Sequence, residues 1–143
     1  MNRIKIFVLT AVFLIQFSCI ENSRSYYANY SELREDDIIE RGWIPDFLPL
    51  DSEEIYETHN IDINSTYGKF SYKSDLWIDS SNFRNYEFNI DSLKNKIKKI
   101  NRPKKPKWFI SDKELTDKDL LILRKQDWII IADTFNQKCY FIR

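Results

Sequence analysis

Few residues in this sequence have side chains suited to acid–base chemistry. His59 is the only histidine, and Glu57 lies two residues before it. In an extended strand these two side chains share one face, whereas Asp62 points away. The pair could form an acid–histidine site. A histidine held by a carboxylate for structural reasons is the favoured interpretation, because perturbed groups often belong to structural networks.

The candidate nucleophiles are equally limited. Cys139 lies in the alternating run 138–142, which predicts a buried strand thiol without an activating partner. A Cys139–His59 pair is possible only if the fold brings the two together. The sequence contains no Gly-x-Ser-x-Gly elbow, so a hydrolase of that type is not expected. We therefore predict no catalytic residues and a protein that is not an enzyme.

Metal and cofactor sites are not expected either. A single histidine excludes zinc signatures that need several, and two glycines cannot build a glycine-rich phosphate loop. The prediction is therefore no metal and no cofactor.

The strongest functional feature is a basic stretch over residues 91–107. It carries eight basic residues and one acid, a net charge of +7. A solvated surface is the favoured interpretation, but the stretch could face anionic lipid or an acidic protein partner. The candidate surface residues are Lys94, Lys96, Lys98, Lys99, Arg102, Lys104, Lys105 and Lys107.

The N-terminus has the pattern of an export signal. Residues 1–5 contain two basic residues, and the apolar residues 6–17 would span only ~18 Å as a helix, too short for a bilayer core of ~30 Å. Ser18 precedes Cys19 as in a bacterial lipobox, although Gln16 stands where a leucine is usual. We predict that Cys19 is lipidated; an ordinary secretory signal is the alternative.

Three segments follow from this interpretation. Residues 1–18 are the lipoprotein signal peptide, residues 19–30 are a tether, and residues 31–143 form one domain. The chain after the signal carries 20 basic and 22 acidic residues, which argues against nucleic acid as a partner. The predicted location is the cell envelope, with the protein anchored to a membrane and facing the periplasm or exterior.

Helix signals occur at two main places. Ser31 and the acids after it predict a first helix that Arg41 and Gly42 end. Ser92 predicts the cap of a second helix over residues 93–100. Residues 52–56 suggest one further helical turn, with Ser52 as its cap.

Strand signals dominate the rest. Residues 56–62 and 67–73 alternate around a turn at 64–66 and predict a hairpin. Tyr86, Phe88 and Ile90 suggest another strand. The last third adds apolar runs at 108–110, 120–123, 128–132 and 139–142, with a closing turn at 133–138. The prediction is a small α+β domain with a mainly antiparallel sheet and about two helices.

The segment Tyr26 to Tyr72 resembles a family of small uncharacterised bacterial lipoproteins, the YbbD-like family. The matching residues are Gly42, Trp43, Ile44, Pro45, Leu48 and Pro49, then Ile55, Glu57, His59, Asn60, Ile61 and Asp62, and finally Phe70 and Tyr72. Residues 50–54 depart from the family pattern. The resemblance implies a location and a fold but no activity.

Two functional hypotheses remain at this point. The first is a non-catalytic, membrane-anchored lipoprotein that presents a small domain in the cell envelope. The second is an immunity or inhibitor protein that neutralises a toxin or enzyme in the periplasm through its charged surface. Residues 42–50 contain Pro45 and Pro49, and we call them the double-proline segment. Its apolar side chains, beginning with Trp43, are expected to cover the core rather than to dock on a partner.

Overall fold

A computed structural model describes residues 22–80, 83–85, 89–101 and 103–143. The seven strands in these residues form one antiparallel sheet in the order β1-β2-β3-β7-β6-β5-β4. Their bounds are β1 Asn22–Asn29, β2 Glu53–Asn60, β3 Ser65–Ser71, β4 Arg84–Asn85, β5 Leu121–Lys125, β6 Trp128–Asp133 and β7 Lys138–Ile142. The helices in the same residues are α1 Tyr30–Arg34, α2 Leu76–Ser80, α3 Ile90–Lys99 and α4 Asp112–Asp117. The α+β prediction with an antiparallel sheet is therefore confirmed.

Both faces of the central strands are buried, so the sheet is the middle layer of three. Side chains alternate between the faces along each strand, and each face has its own apolar cluster. One cluster holds Ile55, Phe70, Ile130 and Phe141 beneath the double-proline segment and α2. The other holds Tyr67, Ile129, Ile131, Tyr140 and Ile142 beneath α3 and α4.

The double-proline segment packs on the core, as predicted. Ile44, Phe47 and Leu48 are buried in the first cluster, and Trp43 packs against it half-buried. The prolines remove backbone donors, and the segment crosses the sheet in bends and turns that direct its apolar side chains inward. Gly42 before it has φ +72°, a conformation that favours glycine.

The predicted tether is wrong from Asn22 onwards, because residues 22–29 form edge strand β1. This strand pairs antiparallel with β2 over its whole length, and Tyr27 lies opposite Ile55. Pairing satisfies the backbone groups on the outer side of β2. Tyr27 is buried, whereas Tyr26 on the other face is exposed. Because only one aromatic residue of this mostly polar segment faces inward, the segment lacks the apolar alternation that would have predicted a strand.

Two helix boundaries also differ from prediction. Helix α1 begins one residue before Ser31, with Asn29 as its cap, and ends at Arg34. Turns follow it as far as Gly42. The helical turn expected at residues 52–56 is instead the start of β2, where Glu54 has φ +50° and the register shifts. Pairing of β2 with strands on both sides outweighs the local helix signal.

Helix α3 matches the predicted apolar stripe but begins earlier. Its cap is Asn89, whose side chain accepts a hydrogen bond of 2.9 Å from the backbone of Asp91. Ser92 therefore lies inside the helix. Ile90 starts the helix rather than ending a strand, while Tyr86 and Phe88 lie outside the described residues.

The described structure has no strand at residues 108–110, where one was expected. Helix α4, which was not predicted from the sequence, begins shortly after these residues. Phe109 and Ile110 lie just after a turn, and their buried side chains pack in the second apolar cluster. Ser111 then caps α4 with a full capping box: its side chain accepts from the Glu114 backbone, and the Glu114 carboxylate accepts from the Ser111 backbone. The run of three apolar residues concealed this cap signal.

Replacing Ser111 with alanine should lower the free energy of unfolding by about 1 kcal/mol, because α4 loses one partner for its first-turn N–H groups. Urea unfolding followed by tryptophan fluorescence would measure the change. Ser92→Ala is the matched control and should cost less than half as much, since Asn89 caps α3. Equal losses in the two variants would contradict the cap assignments.

The remaining strands follow the sequence closely. The β2–β3 hairpin is confirmed, although its turn lies at residues 61–64 rather than 64–66. Strands β5, β6 and β7 occupy the predicted apolar runs to within two residues at each end. In the closing turn, Asp133 accepts hydrogen bonds of about 3.0 Å from the backbone and side chain of Asn136.

Candidate functional site

Glu57 and His59 form a buried pair on β2. Their side chains share one face, as the alternation predicts, and His59 Nδ1 lies 2.8 Å from Glu57 Oε1. The exposed fractions of the two side chains are 8% for His59 and 0% for Glu57. Asp62 is exposed in the following turn and takes no part in the pair.

Aromatic and cationic groups enclose this pair. The ring of Trp43 stacks on His59 with centroids 4.0 Å apart and planes 8° from parallel. The guanidinium of Arg143 lies 5.4 Å from the Trp43 ring and 4.8 Å from that of Trp128. Arg143 also donates to Asn64 across 2.6 Å. The double-proline segment, the hairpin and the end of β7 thus meet over His59.

Burial favours the uncharged forms of both partners. Desolvation raises the pKa of Glu57 from its ordinary 4.5 to about 8. Desolvation, with the positive charges of Arg143 and Arg41, lowers the pKa of His59. At neutral pH the Glu57 carboxyl is therefore protonated and can donate to His59 Nδ1. Its other oxygen, Oε2, is buried without a hydrogen-bond partner among the described residues.

This arrangement is a closed network rather than a substrate site. Neither Glu57 nor His59 lines the clefts bordered by Trp108, Leu50 or Phe135. A hydrogen bond to Glu57 occupies Nδ1 of the His59 ring, and the Trp43 ring covers one of its faces. The geometry agrees with the structural interpretation of this histidine.

Cys139 cannot reach His59. The strand register places Cys139 opposite Phe70, four residues from the Thr66 position that pairs with His59. Four residues of strand cover ~13 Å, and the two side chains also lie on different, non-adjacent strands. The thiol is fully buried, which raises its pKa well above the ordinary value. A Cys–His nucleophile is therefore excluded by the register.

The predicted basic residues divide between α3 and the segment after it. Lys94 donates to Thr116 across 2.6 Å, which links α3 to α4. Lys98 and Lys99 are exposed, and Lys96 is partly exposed. Cys19 and Arg102 lie outside the described residues.

Residues 103–108 form one wall of a cleft with a volume of about 710 Å³. Lys104, Lys105, Lys107 and Trp108 line this wall. The opposite wall includes Asn22 and Arg24 of β1 and Thr58 of β2. We call this feature the basic cleft.

Sequence reasoning did not identify Arg24 or Asn22 as part of this cleft, because both lie in the supposed tether. Arg24 pairs with Thr58 and Asn22 with Asn60 in the sheet, and this register carries them to the same wall. One feature of the sequence could have indicated a role for Arg24, because it is the only basic residue in the segment 20–30.

One lysine of the basic cleft forms an ion pair with a nearby carboxylate. Lys105 lies 2.9 Å from the carboxylate of Asp112, and this hydrogen bond holds the pKa of Asp112 below its usual range. Both side chains are partly exposed, so the pair contributes little to stability. Lys104 and Lys107 are exposed. The lining itself includes no acidic residue.

An aromatic row borders the cleft. The rings of Tyr26 and Tyr56 are 4.8 Å apart, and that of Tyr56 is 5.8 Å from Trp108. The ammonium of Lys69 lies 4.5 Å from the centre of the Tyr56 ring. The Lys69 ammonium therefore lies beside a row of aromatic rings that runs from β1 through β2 to Trp108.

Across the described segments, no three His, Cys, Asp or Glu side chains gather in a way that could bind a metal ion. None of the helices in those segments is both long enough and apolar enough to cross a bilayer.

Comparison with known proteins identifies the N-terminal part of the chain. Residues 21–71 match the family model described as the YbbD head domain. No curated protein and no solved structure matches the chain. The matched segment contains β1, the double-proline segment and the β2–β3 hairpin, and so includes the Glu57–His59 pair and one wall of the basic cleft. Residues 21–71, about a third of the chain, are therefore similar to the head domain of the YbbD-like family.

Proposed function

We propose that this protein is a non-catalytic lipoprotein of the cell envelope. In this proposal the basic cleft lies against the same membrane that holds the lipid anchor. The observation that carries the proposal is the position of Asn22. This residue lines the basic cleft together with Lys104 and Lys107, and it is only three residues from Cys19.

Chain geometry supports the proposed orientation. Three extended residues span at most ~11 Å, so a lipid on Cys19 would keep Asn22 close to the headgroups. The Debye length at physiological salt is about 8 Å, so cleft side chains that extend toward the headgroups from this position are only partly screened from the surface charge. Each basic residue near an anionic surface contributes ~1 kcal/mol to its attraction. Arg24 and three lysines are placed to act in this way.

Replacing Cys19 with serine should move the protein from the membrane fraction to the soluble or unprocessed pool, because the acylated sulfur is lost. Labelled palmitate and mass spectrometry of the N-terminal peptide would measure anchoring in the native chain. Cys139→Ser is the matched control and should keep the label. An unmodified Cys19 in an uncleaved N-terminal segment would refute the proposal.

The immunity hypothesis predicts a different result. A protein that neutralises a toxin would purify from envelopes with one stoichiometric protein partner. Recovery of the anchored protein with lipid alone supports the membrane-resting role, whereas a stoichiometric partner would replace it by the inhibitor role.

A further inference from the structure

We infer that the basic cleft is a binding site for a phosphate ester, with Arg24, Lys104 and Lys107 holding the phosphate and Trp108 packing against the organic part. The inference rests on the proposed function, because it names the chemistry that the membrane-facing cleft recognises. The same chemistry occurs in an anionic lipid headgroup and in a soluble phosphate ester.

The lining of the basic cleft is strongly cationic. Four cationic side chains from two separate parts of the chain, Arg24 on β1 and three lysines of residues 104–107, line one concave surface. The nearby Asp112 carboxylate compensates only Lys105. A multiply charged oxyanion suits such a site, since hydrogen bonds between ionised groups are about twice as strong as neutral ones. The planar guanidinium of Arg24 adds a two-pronged donor.

The basic cleft is concave and large enough to hold a small molecule. A volume of about 710 Å³ lies within the usual range for small-molecule sites, and a flat patch of like charges would not enclose it. Prolines 103 and 106 restrict the backbone of the lysine-bearing wall, so the lysines start from a preorganised chain.

The basic cleft combines cations with an aromatic surface. Trp108 lines the cleft half-buried, and contact with Phe109 holds its ring, with centroids 6.3 Å apart. A bare inorganic ion needs no such surface, whereas the glycerol or sugar portion of an ester gains by covering it. This favours an ester over free phosphate.

The test uses the full chain in neutral detergent micelles, with the indole N–H signal of Trp108 followed by nuclear magnetic resonance. Trp108→Phe assigns the signal. One arm titrates glycerol 1-phosphate, with glycerol as its blank, and the other adds phosphatidylglycerol to the micelles. We expect saturable movement of the Trp108 signal. Movement in the lipid arm alone identifies a headgroup site, and movement with the soluble ester identifies a site for free esters as well.

A pair of double variants separates a site from diffuse attraction. Lys104→Ala with Lys107→Ala removes two exposed charges inside the cleft, and Lys98→Ala with Lys99→Ala removes two exposed charges of α3 outside it. We expect the first to weaken binding by about tenfold or more and the second by less than about twofold. Equal weakening, or no movement in either arm, would overturn the inference. A missing acyl group on Cys19 would instead refute only the anchoring proposal, since this assay does not depend on it.

Discussion

Replacing Gly68 with alanine is expected to lower the free energy of unfolding by about 3 kcal/mol, or to prevent folding. A Cβ atom at this position would lie 1.8 Å from Cζ of Phe141 and 2.1 Å from its Cε2. Phe141 is fully buried, and Gly68 lies on β3 between β2 and β7. Neither the Phe141 ring nor the backbone at Gly68 therefore has room to move away from the added atom. Urea or thermal unfolding would measure the loss.

Gly42→Ala is the matched control for this prediction. Its φ of +72° makes a side chain unfavourable, but the nearest atom is the flexible end of Arg143 at 3.4 Å. The expected cost is about 1–2 kcal/mol, from backbone conformation alone. Adding Phe141→Leu should reduce the further loss caused by Gly68→Ala, because the smaller side chain leaves room. Strictly additive losses would contradict the steric explanation.

Raising the pH from 6.5 to 8 is expected to lower the free energy of unfolding by roughly 2 kcal/mol, through Glu57. Unfolded Glu57 ionises near 4.5, whereas burial raises its folded pKa to about 8. In this window the folded chain therefore binds one proton more than the unfolded chain. The stabilisation is complete below about pH 4.5 and is lost as the pH rises through about 8.

The chosen window limits the contribution of His59. Its folded pKa is lowered, so its own contribution is present above about 6.5 and is lost as the pH falls through the folded pKa. Between pH 6.5 and 8 the unfolded ring loses only its remaining half proton, which opposes the Glu57 effect by about 0.4 kcal/mol, so the measured slope reports mainly Glu57. Urea unfolding at four pH values in this window would give the slope.

Glu57→Gln should flatten the dependence, because the amide keeps the shape, can donate to His59 Nδ1 and does not titrate. Glu53→Gln is the matched control on the same strand. Glu53 is exposed and paired with Lys73, so this variant should keep the native slope. If Glu57→Gln also kept the native slope, the assignment of the pH dependence to the buried carboxyl would be wrong.

The basic cleft shows why the sequence identified only part of the candidate site. The lysines of residues 104–107 were visible as a charge excess along the chain. Arg24 and Asn22 are about eighty residues away, and only the pairing of β1 with β2 brings them to the same wall. No local pattern encodes that register, because it depends on which strand satisfies the outer edge of β2.

The amino-acid sequence by itself determined the α+β class, the β2–β3 hairpin, the terminal strands and the core role of the double-proline segment. These features depend on side-chain alternation and on proline chemistry, which act over a few residues. The tertiary structure alone decided that residues 22–29 are a strand, that residues 53–56 are not a helix, and that Cys139 cannot meet His59. Each of these depends on partners distant in the chain, since pairing across the sheet outweighs weak local propensity.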